Sequence, residues 1–562
     1  MSQSSSIHRV ASSRSTSRRN PPDVPVNQPE DEELEDEHEQ ARKVREQLPL
    51  WKRPAPWWLL VLTPFSATVL SFTVSAQVEL FTELVCRIDP PEYQPSHSFG
   101  DSAFAFSPSC SSDPKVQATV TRLTTIITVL TGIIAFFTVG RWGSFSDRHG
   151  RTRTLGFITF GQFLLPFITL IVVHYGHLLP GGYWLLLGEA VVSGFVGSSV
   201  TEPAVYLAYL SDITTPDQRA GYFSALQGSM LAGIGVGPLL GSFIIQKTGN
   251  LLSVFYLAAL LRFIQSGVVW LILPESLTQV QMQRAIMKHE EEALASTSTG
   301  RPFFFLEPLL VLLPAKISRP GSSKVHRDWN LTLLAVSYAL IFLAASSLIN
   351  QFYYALYMFQ WDAEYLGYCI SVIGLARALF LTCILPPLIR YFKHRPPKTA
   401  NETAHPSERE PLLHESTRRR PSSPFLFDLR LARVSVFIDI LMYVTLPLAP
   451  SGALFILFTT IGSLGAGLTP AVNAVALELY RRKVGKDARA ESGKLLGGLS
   501  VVQAIFANVL GPLMYGSIYA STVATSPRTI FFVALGNATA AFLILAFVRV
   551  SPVPEDSENT TA

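Results

Sequence analysis

Charge is what this sequence has least of. Asp, Glu, Lys and Arg make up only 15% of its 562 residues, against about 25% in a typical soluble protein. With 48% hydrophobic residues and 36 phenylalanines, the composition argues against a large soluble enzyme. No Gly-x-x-x-x-Gly-Lys-Ser/Thr loop occurs to cradle a nucleotide, which argues against an ATP-driven pump. A clustered metal or nucleophile constellation is also missing, so neither a membrane enzyme nor a bound cofactor is expected. No cleavable signal peptide opens the chain. Residues 1–56 are Ser/Arg-rich, then acidic ("EDEELEDEHEQ"), and read as a disordered cytosolic tail.

What is abundant is apolar runs long enough to cross a bilayer, which takes about 20 helical residues. Twelve occur, near 58–80, 120–141, 154–174, 184–209, 221–245, 253–273, 331–355, 366–389, 433–449, 453–477, 495–519 and 529–548. The run "FFFLEPLLVLLP" at 303–314 is too short and holds Glu307 and Pro308, so it reads as interfacial. Of 45 Lys and Arg residues, 38 fall in the two tails and alternate connections on one side, 4 on the other and 3 within spans. That asymmetry predicts both termini in the cytosol, and it assigns the net charge of +4 to topology rather than nucleic-acid binding.

The expected organisation is an all-α membrane protein of two six-helix bundles, 57–273 and 331–549. A cytosolic linker (274–330) joins them, a disordered cytosolic insert (393–424) interrupts the second, and a tail (550–562) follows. The halves keep a trace of duplication: "TEPAVYLAYL" (201–210) in the fourth span and "LTPAVNAVAL" (468–477) in the tenth share Pro-Ala-Val. Gly237-Pro238 and Gly511-Pro512 follow in the next span each time. Two such halves related by an axis along the membrane normal are the architecture of carriers that rock around a midplane site.

The connection "GRWGSFSDRHGRTRTL" (140–155) concentrates charge between two apolar runs. Gly143 and Gly150 allow tight turns, and Asp147 can accept from Arg151 or from a helix end. The pattern Gly143-x-x-x-Asp147-Arg148-x-Gly150-Arg151 resembles the loop motif of the major facilitator superfamily, with Thr152 where a second basic residue is common. The resemblance implies a cytosolic gate latching the two halves, which Asp212 and Arg219 of the next cytosolic loop would join. "FDLRLAR", with Asp428 and Arg433, is a weak echo in the second half. Gly233, Gly235, Gly237, Pro238 and Gly241 in the fifth span look like the Gly-Pro motif of superfamily antiporters, which favours export; helix packing alone would explain them as well.

"CSSDPKVQ" (110–117) and "WDAEYLGY" (361–368) are similar to the proton-coupled folate transporter family and to the fungal general-substrate facilitators related to it. The chemistry does not carry over. That family's fifth-span glutamate falls on Gln227, its tenth-span arginine on Asn473, and its seventh-span histidine on an apolar stretch near Leu343. A cysteine before the Trp-Asp pair is replaced by Gln360, which makes Cys86 the better partner for Cys110 across the first outer loop. Two free thiols there are the alternative, and Cys369 and Cys383 fall inside the eighth span.

An ionisable side chain inside a span costs roughly 2.5–3.5 kcal/mol on the lenient insertion scale and is a functional candidate by default. Glu189, Glu202, Arg262, Arg377 and Asp439 qualify. Glu202, before Pro203, is the first candidate for proton coupling and Arg377 for an anionic substrate group. The competing reading is structural ion pairing, Glu202 with Arg262 for example. Glu79 and Glu83 share a helical face at the outer mouth of the first span, where a solvated helix end is the plainer reading. Threonines 121, 124, 125, 128 and 131 form a stripe expected to bond its own backbone. In the insert, Glu408 with Leu412-Leu413 has the spacing of an acidic dileucine signal, implying a sorting adaptor and favouring a vacuolar or lysosomal membrane over the plasma membrane, which is the alternative. The expected function is a monomeric secondary carrier of a small organic solute, driven by a proton gradient; a sensor that keeps the fold without transport is the alternative.

Overall fold

The computed structural model describes residues 49, 52–88, 112–176, 178–214, 216–299, 307–317, 326–393, 424–484 and 492–549. Both six-span halves belong to one compact unit, Pro54–Ala562. All twelve expected spans are present. They are Pro56–Ile88, Pro114–His149, Arg151–Tyr175, Gly182–Ile213, Tyr222–Thr248 and Leu252–Leu271 in the first half. The second half holds Asn330–Phe359, Ala363–Ile389, Leu426–Leu448, Gly452–Tyr480, Gly497–Thr522 and Thr529–Phe547; we number them spans 1–12. The ends carrying the Lys- and Arg-rich connections form one face of the bundle, here the basic face.

Within each half the packing repeats. Span 3 lies along span 6 as span 9 does along span 12, and span 5 lies along span 1 as span 11 does along span 7; span 12 also lies along span 7. The halves meet through span 5 against span 8 and span 2 against span 11. The glycines read as an antiporter motif lie at these contacts. A Cβ on Gly233 would stand 2.9 Å from Ala67 Cβ, one on Gly237 3.0 Å from the Phe72 nitrogen, and one on Gly235 2.9 Å from the Leu375 nitrogen across the halves. Gly241 abuts the Phe72 carbonyl. Gly511 repeats the arrangement: Gly237 abuts Ser71 of span 1, and Gly511 abuts Ser346 of span 7. Small residues let helix backbones approach where lipid supplies no hydrophobic drive between them, so close packing accounts for this motif.

Spans 1, 4, 7 and 10, the first of every three, are each broken. Span 1 breaks at Thr73 between Pro56–Phe72 and Val74–Ile88. Span 4 breaks at Gly197, whose φ of 62° is the left-handed region that glycine reaches without penalty. Span 7 breaks at Ser346-Ser347, and span 10 passes through a tight 3₁₀ segment, Ser463–Gly467. Spans 8 and 11 each carry one widened π turn instead, Phe380–Ile384 and Phe506–Leu510.

The linker has elements of its own. It forms a helix, Gln279–Thr299, a short turn, Glu307–Leu310, and an antiparallel hairpin pairing Ala315–Ile317 with His326–Asp328. The described end of the run read as interfacial is seated in the second half, where Leu312 is buried with Leu331, Leu334 and Val475. Residues 394–423, with Glu408, Leu412 and Leu413, lie outside the described residues, as does Cys110. Cys86 is buried and disulfide-bonded, and Cys369 and Cys383 are free.

Candidate functional site

The in-span charges separate into two groups. Glu202 and Arg262 are both buried in a polar network confined to the first half. Ser66 Oγ donates to Glu202 Oε1 at 2.5 Å, Tyr206 OH donates to the same oxygen at 2.9 Å, and Gln162 Nε2 donates to Oε2 at 2.6 Å. Arg262 Nη1 donates to Ser66 Oγ at 3.0 Å and to Gln265 Oε1 at 2.8 Å, while Nη2 donates to the Ser66 carbonyl at 3.2 Å. Ser66 therefore stands between acid and base, and four spans are tied by one buried, charge-balanced cluster. Burying a charge is tolerable only when it is paired and hydrogen-bonded, and here that condition is met by the fold alone. Glu189 is separate again: Thr169 Oγ1 donates to its Oε1 at 3.4 Å, and Oε2 is buried without a hydrogen bond.

The second group lines a cavity of about 990 Å³ between the halves. Arg377 of span 8 and Asp439 of span 9 face it, with Gln227 of span 5, Asn473 of span 10, Gln503 of span 11 and Gln351 of span 7. The Arg377 side chain is exposed to this space and feels the field of Asp439, yet forms no hydrogen bond among the described residues. Asp439 rests on the tight segment of span 10, where a Cβ on Gly465 would stand 2.7 Å from its Oδ1. Two amides already have partners: Tyr338 OH donates to Gln503 Oε1 at 3.1 Å and Gln351 Nε2 to Ser347 Oγ at 2.9 Å. Phe342, Leu381 and Met442 supply apolar wall. A guanidinium, a carboxylate and uncommitted amides on apolar walls can hold a small solute by an anionic group and one or two hydrogen bonds.

Of the residues singled out in the sequence, Arg377, Asp439, Gln227 and Asn473 thus converge on one space, whereas Glu202, Arg262 and Glu189 lie outside its lining. The lining runs from mid-bundle towards the basic face, through Phe223 and Ser224 of span 5 and Ile389 of span 8. At the opposite face the space is closed by a buried cluster that includes Phe81, Leu123, Tyr353, Phe455, Tyr519 and Phe531.

The charged loop forms a cluster at the basic face. Arg151 Nη1 pairs with Asp147 Oδ1 at 2.5 Å, its Nε with Asp212 Oδ2 at 3.0 Å, and Nη1 also donates to Ser146 Oγ at 3.1 Å. Arg148 Nε turns back to the Ser144 carbonyl at 3.0 Å. Gly143 leaves open space on its side-chain face, and the Arg219 side chain lies outside the described residues. Glu275, following span 6, is a member that the sequence reading missed. Its Oε1 accepts from the Arg151 nitrogen at 2.9 Å, and its Oε2 accepts from the Thr152 nitrogen at 3.0 Å and from Thr152 Oγ1 at 2.6 Å. It caps the N-terminus of span 3, where Gly150 at φ 103° leaves room for the carboxylate. Thr152, the departure from the motif, is thereby explained. The named bonds join spans 2, 3, 4 and 6 inside one half rather than latching the two halves. The echo in span 9 does different work: Arg433 Nη2 donates to the carbonyls of Leu545, Ala546 and Val548 at the end of span 12, at 3.2, 3.4 and 3.1 Å.

Residues 96–404 match the Major Facilitator Superfamily model. The chain belongs to that superfamily. This member is 24% identical over 496 residues to the MFS-type transporter avaJ of Aspergillus versicolor, covering 88% of both chains. It is 22% identical over 462 residues to an uncharacterized membrane protein of Saccharomyces cerevisiae, covering 78% of this chain and 77% of that one. Among solved structures its fold matches the human organic anion transporter MFSD10 at a TM-score of 0.52, with 15% identity and 89% and 100% of the two chains covered. A D-xylose–proton symporter matches at 0.53, with 11% identity and 87% and 96% covered. The facilitator fold expected from the loop motif is borne out, and the protein is a multi-pass membrane transporter. The narrower likeness to the folate transporter family rests on the two sequence stretches alone.

Proposed function

We propose that this facilitator moves a small organic solute bearing one anionic group, in company with a proton, by alternating access, with Arg377 holding the anion and Asp439 carrying the proton. The observation that carries the reading is a guanidinium open to the cavity without a hydrogen-bond partner among the described residues. Charge balance supplies the rest. Arg377 and Asp439 cancel while the cavity is empty; a bound anion leaves one excess negative charge, and protonation of Asp439 restores neutrality. Moving an unbalanced charge through a low-dielectric closed state is costly, so the loaded protein closes best when both have bound. On this reading the basic face is cytosolic, and Glu202 serves the scaffold of the first half.

The test is purified protein in liposomes under an imposed pH gradient, offered a panel of monocarboxylates and their neutral amides. Gradient-driven uptake of a carboxylate is expected, abolished by Arg377→Gln; Asp439→Asn should still exchange solute but no longer accumulate it. Uptake indifferent to Arg377→Gln would sink the assignment, and binding without flux under any gradient would favour the sensor. We further propose a vacuolar-type membrane as its address, read by an adaptor from Glu408 and Leu412-Leu413. Replacing both leucines with Ala should shift a fluorescently tagged chain to the plasma membrane, and unchanged location would discard the signal.

A further inference from the structure

At the face opposite the basic one, the two halves are joined by hydrogen bonds around the first turn of span 8. Glu79 of span 1 is 7% exposed, rather than a solvated helix end, and accepts from the backbone nitrogen of Ala363. That nitrogen is the first of the helix, one of the donors a helix leaves unpaired at its start. Asp362 caps the same turn, accepting from the Tyr365 nitrogen at 2.9 Å. Span 5 completes the joint: Ser242 Oγ donates to the Glu364 carbonyl at 3.0 Å and Gln246 Nε2 to Glu364 Oε1 at 2.9 Å. Gly367 makes room for this approach, since a Cβ there would stand 3.0 Å from both the Pro238 carbonyl and Ser75 Oγ.

We propose that Glu79 is a proton-binding latch for this face: ionised, it holds the outer side shut on span 8, and protonated, it lets the halves part there. The inference rests on the alternating access proposed above, but not on the cargo or on Arg377. A carboxylate accepts from a helix N-terminus as an ion, with a charge-assisted bond about twice as strong as a neutral one and a favourable macrodipole. The charges facing it are Asp362 of span 8 and Glu83 of its own helix, with Glu83 paired to Arg87 at 3.1 Å. Glu364 is engaged by Gln246 and by Tyr368 OH at 3.2 Å. From span 5 the nearby cation, Lys247, lies over the Phe243 ring at 5.7 Å, and the apolar cluster shared with Ala363 contributes Leu251, Leu252 and Phe255. Glu79 is thus an acid among acids, held by one backbone donor. Neutralising it replaces that strong bond to span 8 with a weaker one.

Distances between spin labels at Thr248→Cys and Ser521→Cys, on the outer ends of spans 5 and 11, would report the opening. The protein would sit in lipid nanodiscs in a Cys369→Ala, Cys383→Ser background. Acidification is expected to raise the long-distance population of the otherwise wild-type protein. Glu79→Gln should raise the open-to-closed ratio at neutral pH by roughly tenfold, the worth of exchanging a charged for a neutral acceptor, and should flatten the pH response. Ala363→Pro removes the donor without touching the acid, at a helix position that accepts proline and after an extended Asp362; it should open the same face. Glu364→Gln should keep the pH response. A Glu79→Gln protein with the wild-type response, or an Ala363→Pro protein as closed as wild type, would overturn the proposal.

Discussion

Glu202 and Asp439 are both acids inside helical spans, and their surroundings give them opposite work. Glu202 takes three side-chain donors, with Arg262 behind Ser66; Asp439 looks into a cavity. Removing one partner of a buried ionic cluster leaves an uncompensated charge and costs about 3–5 kcal/mol. Glu202→Ala should therefore lower the melting temperature in detergent sharply, whereas Asp439→Asn should leave it near wild type. Equal melting of the two would show that the cluster is not structural. The sequence flagged both residues by the same rule, that charge inside a span needs a reason. It could not rank them, because what separates them is non-local: Ser66 is 136 residues from Glu202. Gln227 and Asn473 illustrate the converse, since they drew notice only as places where another family's charges fail to appear, and the fold brings both to the cavity wall.

At the scale of elements, the spans were legible because length and apolar content are local properties of the chain. Their breaks were not. Thr73, Ser346-Ser347 and Ser463–Gly467 carry no proline, and their positions emerge only from packing against neighbours. Gly465 shows the cost of that blindness: an ordinary glycine in sequence, it makes the room that Asp439 occupies. Gly465→Ala should displace the Asp439 carboxylate and cut gradient-driven accumulation roughly as Asp439→Asn does, with less than about 3 kcal/mol lost in stability. Full accumulation in the alanine variant would show that Asp439 owes nothing to that glycine. At Gly237 the close approach is to Ser71 and the Phe72 backbone, so Gly237→Val should separate spans 1 and 5 and lower expression of folded protein, as read by size-exclusion chromatography.

For the whole molecule, the Gly-Pro half of the duplication glimpsed in sequence is matched by a repeat of packing, with Gly237 on Ser71 and Gly511 on Ser346. The halves have also diverged at the basic face. Glu275, following span 6, caps the start of span 3, while Arg433 of span 9 caps the end of span 12, so equivalent helix pairs are pinned with opposite charge. A cavity reaching one face only makes a further prediction. Cysteines replacing Gln227 and Asn473 should react with an impermeant maleimide added on the basic side, and one replacing Tyr353, within the sealing cluster, should resist it from either side. Reaction from the opposite side alone would reverse the orientation of the opening.

The π turn Phe380–Ile384 begins three residues after Arg377. Such a turn holds one residue more than an α turn, and each residue of an α-helix advances about 100° around its axis. The guanidinium's direction is therefore a matter of helical phase, set by a single surplus residue between it and the basic end of span 8. Deleting Cys383, which lies in that turn but outside the cavity lining, would swing Arg377 away from the cavity while removing no lining side chain. Loss of solute uptake by a stable deletion variant would show that this protein keeps its charge in place by counting residues.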